Sequence, residues 1–222
     1  MSKFFLSLCI ALVCTLSFAQ TSKTSKNDPA AQALLDKVAA KYKSFASLEM
    51  TFTLNIQSVE DKLNETMTGS AWIRGEKYRV TTNTVDIVCD NVKRWTYLKE
   101  NNEVQINFYE PEEDNIESPA QLFTLYKKNF YYRMIADDKV DGKVVKVVEL
   151  TPTKLENSTY SRVHLYIDPA SNNIVQAKVF NKDKVTYTWK ITKFTPNAKI
   201  DDAKFVFDIS KYPKVHVEDM TK

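Results

Sequence analysis

The chain has 222 residues, with 31 Lys and Arg against 28 Asp and Glu, a formal net charge of +3 at pH 7 and only three glycines. That length suffices for a sizeable apolar core without disulfide staples. Charges of both signs spread along the chain leave no basic stripe for nucleic acid, and the scarcity of glycine disfavours the Gly-rich turns on which many phosphate sites are built.

Lys3, then the uncharged apolar run from Phe4 to Phe18, then Ser17-Phe18-Ala19, reads as a secretory signal peptide over residues 1–19. The run is shorter than the ~20 residues a membrane-spanning helix needs. Leu8 and Val13 precede Cys9 and Cys14, whereas a lipid-attachment signal needs a small residue there. The mature chain is therefore expected to be exported and soluble, with 20–27 a flexible segment and 28–222 one domain. Cutting after Ala19 removes Lys3, lowering the formal charge to +2, and leaves Cys89 as the sole cysteine, so no internal disulfide is expected.

Asn27-Asp28-Pro29 predicts a helix start, because Asp28 can cap the first free amides and Pro29 fits the first turn. Leu34, Leu35, Val38 and Tyr42 follow at helical spacing. From Met50 the period becomes two: Phe52, Leu54 and Ile56 alternate with Thr53, Asn55 and Gln57, a strand with one wet face. The pattern returns at Val104, Ile106 and Phe108, and at Val185, Tyr187, Trp189 and Ile191. Turn chemistry at Asn101-Asn102, Asp137-Asp138, 168–173 and 181–183 separates the runs. Between them an acidic stretch, 110–117, reads as a mobile loop. Ser118-Pro119 then opens a second short helix with Leu122, Phe123, Leu125 and Tyr126.

These elements predict a mainly β (α+β) fold: a single curved antiparallel sheet of about ten or eleven strands. An apolar sheet face must be covered. Curled into an unclosed barrel with helices across its mouth, the sheet would enclose an apolar hollow. Alternatively, the aromatics fill an ordinary core, and periodicity does not decide between the two. The hollow is expected to be lined by Phe52, Leu54, Trp95, Tyr97, Ile106, Phe108, Tyr187 and Trp189, with Leu122, Phe123 and Tyr126 on a lid.

Catalytic chemistry finds little support. His164 and His216 are far apart and lie in no motif. Cys89 has no flanking cation to lower its pKa, and Glu112-Glu113-Asp114 is a run rather than a converging pair. The reading is of a non-enzyme with no catalytic residue, metal or cofactor.

Several segments, taken in order, resemble the periplasmic lipoprotein carrier family, LolA: Phe52-Thr53-Leu54, Gly69-Ser70-Ala71-Trp72-Ile73-Arg74, and Asp90-Asn91 followed by Trp95-Thr96-Tyr97. Ser118-Pro119-Ala120-Gln121-Leu122 falls at the family's lid helix. Leu165-Tyr166-Ile167-Asp168-Pro169 and Asp202-Ala203-Lys204-Phe205-Val206-Phe207 complete the set. The resemblance implies an unclosed β-barrel with a helical lid, acting as a periplasmic chaperone that shields the acyl chains of lipoproteins between the inner and outer membranes. It implies acylated lipoproteins or lipids, an inner-membrane ABC transporter and an outer-membrane acceptor as partners of a monomer. The same fold also serves sensor domains that bind a regulatory membrane protein. Two departures stand out. The family's Phe-x-Gln is Phe52-Thr53-Leu54, and its Arg-Pro is Gly75-Glu76. Arg74 or Arg79 is then the candidate to replace the arginine that latches the family's lid.

Overall fold

The computed structural model describes residues 27–109, 125–127 and 129–222. The expected signal peptide, residues 20–26 of the expected 20–27 flexible segment, the acidic loop and the lid residues Leu122 and Phe123 lie outside the described residues.

Asp28 caps helix α1 (Pro29–Lys43) as its sequence predicts: Oδ1 accepts the Ala30 N–H at 2.8 Å, and Pro29 occupies the first turn, where its missing N–H costs nothing. The stripe Ala31, Leu35, Val38, Ala39 and Tyr42 is buried. Among the described residues thirteen strands follow: β1 (Leu48–Ser58), β2 (Leu63–Arg74), β3 (Lys77–Thr82), β4 (Val85–Cys89), β5 (Lys93–Leu98), β6 (Glu103–Phe108), β7 (Phe130–Met134), β8 (Asp138–Val140), β9 (Lys143–Pro152), β10 (Tyr160–Asp168), β11 (Asn173–Asn181), β12 (Val185–Pro196) and β13 (His216–Asp219). They form one sheet in the order β13-β6-β5-β4-β3-β2-β1-β12-β11-β10-β9-β7, with β8 beside β9. Neighbours are antiparallel except β13, which runs parallel to β6. The count exceeds the expected ten or eleven partly because β8 and β13 have only three and four residues, too few for alternation to register.

Because β13 and β7 are both edges, the barrel is unclosed, and the two edges are guarded differently. At β7 the chain entering α1 takes up the free backbone groups. Asp28 N–H donates to the Tyr132 carbonyl at 3.0 Å, Tyr132 N–H to Asn27 Oδ1 at 3.1 Å, and Met134 N–H to Asp28 Oδ2 at 3.0 Å. Capping a helix end and an exposed edge with one carboxylate answers two liabilities at once. At the other end β13 is short and carries His216 and Glu218.

The sheet face that carries α1, the inner face, holds the main core. Leu48, Met50 and Phe52 of β1 join Ala71 and Ile73 of β2, Val148 and Leu150 of β9, Val163, Leu165 and Ile167 of β10, and the α1 stripe. The outer face is polar over the centre, where Thr51 and Thr192 hydroxyls meet at 2.8 Å and Asn55 bonds Asn64 and Thr66. It is apolar at both ends. Val145, Val147 and Tyr166 cluster with Ile135 and Val140 near β8. Val88, Val104 and Ile106 cluster with Phe207, Tyr212 and Val215 of the C-terminal segment.

Candidate functional site

Burial along the inner face of β1 falls along the strand: Phe52 is 6% exposed, whereas Leu54 and Ile56 are half-buried. Leu54 stands opposite Trp189 and Ile56 opposite Tyr187 on β12. On that strand face the two aromatic rings stack at 5.7 Å, with 21° between their planes. Val80, Ile87, Ile191 and Phe194 pack partly exposed around the same core. The result is an apolar patch on the inner face, continuous with the buried core. Its position follows from Gly69. The end of the Phe52 ring lies against that residue, so a Cβ there would sit 2.4 Å from Phe52 Cζ and 2.8 Å from the Thr81 carbonyl oxygen. The glycine lets the ring lie down on β2 instead of standing into the patch.

The structure thus brings together four of the eight residues expected to line one hollow: Phe52, Leu54, Tyr187 and Trp189. The others lie on the opposite face. Trp95, Tyr97 and Ile106 pack beneath Phe207 and Tyr212, with the Phe207 and Tyr212 rings 4.7 Å apart and nearly parallel. Phe108, 52% exposed, has Lys93 Nζ 5.7 Å from its ring. Alternation on β5 and β6 is as expected, but the apolar side is the outer one, because the C-terminal segment supplies a second cover there. The switch occurs at β4, where Ile87 and Cys89 join the inner core and Val88 joins the outer one. Of the expected lid residues only Tyr126 is described. It sits in a single turn, Leu125–Lys127, buried, with its hydroxyl donating to Asp36 of α1 at 2.6 Å.

Arg74 and Arg79 also lie on the outer face, and both hold the C-terminal segment. Arg74 pairs with Asp202, donates to the Ile200 carbonyl at 3.3 Å and lies 5.0 Å from the Phe205 ring. Arg79 forms a bidentate pair with buried Asp86, at 2.9 Å and 2.5 Å, and reaches the Lys204 carbonyl at 3.5 Å. The hydrogen bond to Asp86 raises the pKa of Arg79 further, burial notwithstanding. These arginines latch a C-terminal strap. Their side was not legible from composition, although strand parity from Ala71 and Ile73 already opposes Trp72 and Arg74 to the core.

Nothing in the geometry points to a reactive thiol. Cys89 is buried and its pKa is raised, chiefly by desolvation, which keeps it protonated. Among the described residues no cluster of three or more His, Cys, Asp or Glu could hold a metal. A cleft of about 520 Å³ opens where α1 meets β7, lined by Gln32, Asp36, Tyr126, Asn129 and Tyr131 among others. It is largely polar and is not the apolar hollow expected above. No helix among the described residues is long and apolar enough to cross a membrane.

Against known proteins, the pattern of the family described as outer membrane lipoprotein carrier protein LolA matches residues 43–208. No curated protein matches the chain. Among solved structures, an uncharacterized conserved protein from Thermus thermophilus superposes with a TM-score of 0.54 at 15% identity, covering 86% of this chain and 99% of that one. The lipoprotein LppX of Mycobacterium tuberculosis gives 0.46 at 15% identity, over 79% and 99%. A LolA superfamily protein from Nitrosomonas europaea gives 0.42 at 11%, over 80% and 97%. The first of these shows that the fold is shared.

Proposed function

Since the chain belongs to the family of outer membrane lipoprotein carrier proteins, LolA, over residues 43–208, we propose that it binds the acyl chains of lipoproteins on its inner face and carries them across the periplasm. In this reading it is a binding protein rather than an enzyme, loaded by an inner-membrane ABC transporter and unloaded to an outer-membrane acceptor. The observation that carries the proposal is the patch of Leu54, Tyr187 and Trp189. These are large apolar side chains left half-exposed on the inner face of a sheet that does not close. Each buried methylene of a lipid chain gains roughly 0.8 kcal/mol, so a patch that covers part of a chain supplies affinity by area and needs no polar anchor. Moderate affinity also suits a carrier, which must release what it binds.

The three tryptophans make the test specific, because Trp189 faces the inner side whereas Trp95 packs on the outer side and Trp72 lies under Lys204 Nζ at 3.9 Å. In a Trp72→Phe/Trp95→Phe protein, a bromine-labelled acyl chain should quench the remaining Trp189 emission with saturation. In a protein retaining only Trp95, it should not. Leu54→Trp should fill the patch and weaken binding while leaving the far-ultraviolet circular dichroism intact. Absence of saturable quenching of Trp189 would refute acyl binding at this face.

A further inference from the structure

The outer face of the β7–β12 half carries a second feature that acyl binding does not use. Directly opposed residues make a row across four strands: Arg133 on β7, Glu149 on β9, His164 on β10 and Lys178 on β11. Next to it Arg162 stands opposite Phe180. The carboxylates here are already engaged. Arg133 donates to Glu149 Oε1 at 2.7–2.8 Å, His164 Nε2 lies 3.0 Å from Glu149 Oε2, and Lys190 pairs with Asp141. Arg162 and Lys178 are held instead by aromatic rings: the Arg162 guanidinium lies 4.2 Å from the centre of Phe180, and Lys178 Nζ 5.2 Å from that of Tyr166. A ring orients a cation without consuming its N–H donors.

We propose that this face docks the protein on an anionic lipid surface. The occupant follows from shape and chemistry. The outer side of this unclosed, curved sheet is convex, not a concavity fitted to one anion, and Arg162 and Lys178 are presented over the rings of Phe180 and the underlying Tyr166, cations on an apolar base that suits a headgroup layer. Docking here is independent of whether the inner face holds an acyl chain, since the two sets of residues lie on opposite sides of one sheet.

Co-flotation with phosphatidylcholine vesicles, with and without phosphatidylglycerol, tests the proposal on the whole protein. The wild type should favour the phosphatidylglycerol vesicles, and added salt should abolish the preference. Arg162→Gln/Lys178→Gln should lower that binding roughly thirty-fold, the worth of two cations at about 1 kcal/mol each, while Trp189 quenching by the acyl probe stays unchanged. Lys37→Gln/Lys77→Gln removes the same charge from elsewhere and should keep most of the binding. The proposal fails if the wild type shows no preference, if the first variant binds as the wild type does, or if both variants lose equally. It fails also if the wild type ignores the vesicles and binds poly-glutamate, which would assign the face to an acidic polypeptide. Loss of acyl quenching alone would bear only on the carrier reading.

Discussion

Single residues set the register of this molecule most visibly where a side chain has two partners. His164 is held below its ordinary pKa, first by burial and then by the charges of Arg162 and Lys178, against the upward pull of Glu149. Burial pushes Glu149 up, but hydrogen bonds from His164 and Arg133 outweigh it and the net direction is down. With Glu149 ionised, the imidazole is neutral near pH 7 and donates from Nε2. The unfolded chain takes up a proton at His164 at higher pH than the folded one does, so folding stability declines as pH falls through about 6.5. Glu149 contributes stability above its unfolded value and loses it as pH falls through its lower folded one. Urea midpoints measured from pH 8 to pH 5 should therefore drop in the wild type and stay flatter in His164→Gln. A second residue-scale prediction concerns Gly69. Gly69→Ala drives a methyl into the Phe52 ring and should cost about 1–3 kcal/mol and weaken acyl-probe binding as the ring is pushed off. Phe52→Leu in that background should restore part of the stability, and strict additivity of the two changes would show that they do not touch. Asp28 was legible in advance because capping is local chemistry. Its second bond, to Met134 of a strand over a hundred residues away, was not, since nothing near Asp28 names its edge-strand partner.

Elements differ in how much of their role their own sequence states. The 3.6-residue stripe of α1 gave both the helix and its buried side, and Leu35→Ala should cost about 2–5 kcal/mol in chemical denaturation, because Leu35 is 1% exposed within the main core. On β5 and β6 the period of two was read correctly, but a period names no side. Trp95 and Tyr97 could be assigned only by knowing what covers them. That cover, residues 202–215, folds as two single turns, Asp202–Phe205 and Ile209–Lys211, followed by a tight turn closed by the Val215 N–H on the Tyr212 carbonyl at 3.2 Å, and so shows no periodicity to read. Asp86→Ala tests the strap. It leaves the Arg79 guanidinium facing Tyr212 and the Lys204 carbonyl without its carboxylate, and should cost about 2–3 kcal/mol, somewhat less than a fully buried broken pair because the Arg79 side chain is 22% exposed. Asp86→Asn, which keeps one acceptor, should cost less. Equal losses in the two variants would argue that charge alone matters.

At the scale of the whole molecule, the class followed from the strand pattern: one largely antiparallel, unclosed sheet of alternating strands. The helices were expected across its mouth, and α1 packs into the inner-face core. The pairing of β1 with β12 did not follow from the pattern, because two strands with similar wet-and-dry alternation carry no label for each other. That pair sits at the centre of the sheet, joining residues 141 positions apart at Thr51 and Thr192. A ribosome releases chain at about 5–20 residues per second, so β1 waits on the order of 10 s for its partner after it is made. Until Pro196 has emerged, β1 through β6 and β9 through β11 lack the strand that joins them, and their common core cannot assemble. The topology therefore acts as a clock: the polypeptide stays threadable through a narrow channel for nearly all of its synthesis, then closes once. A chain arrested at Asp183 should be cut by protease as readily as an unfolded one, and one extended past Lys222 should resist.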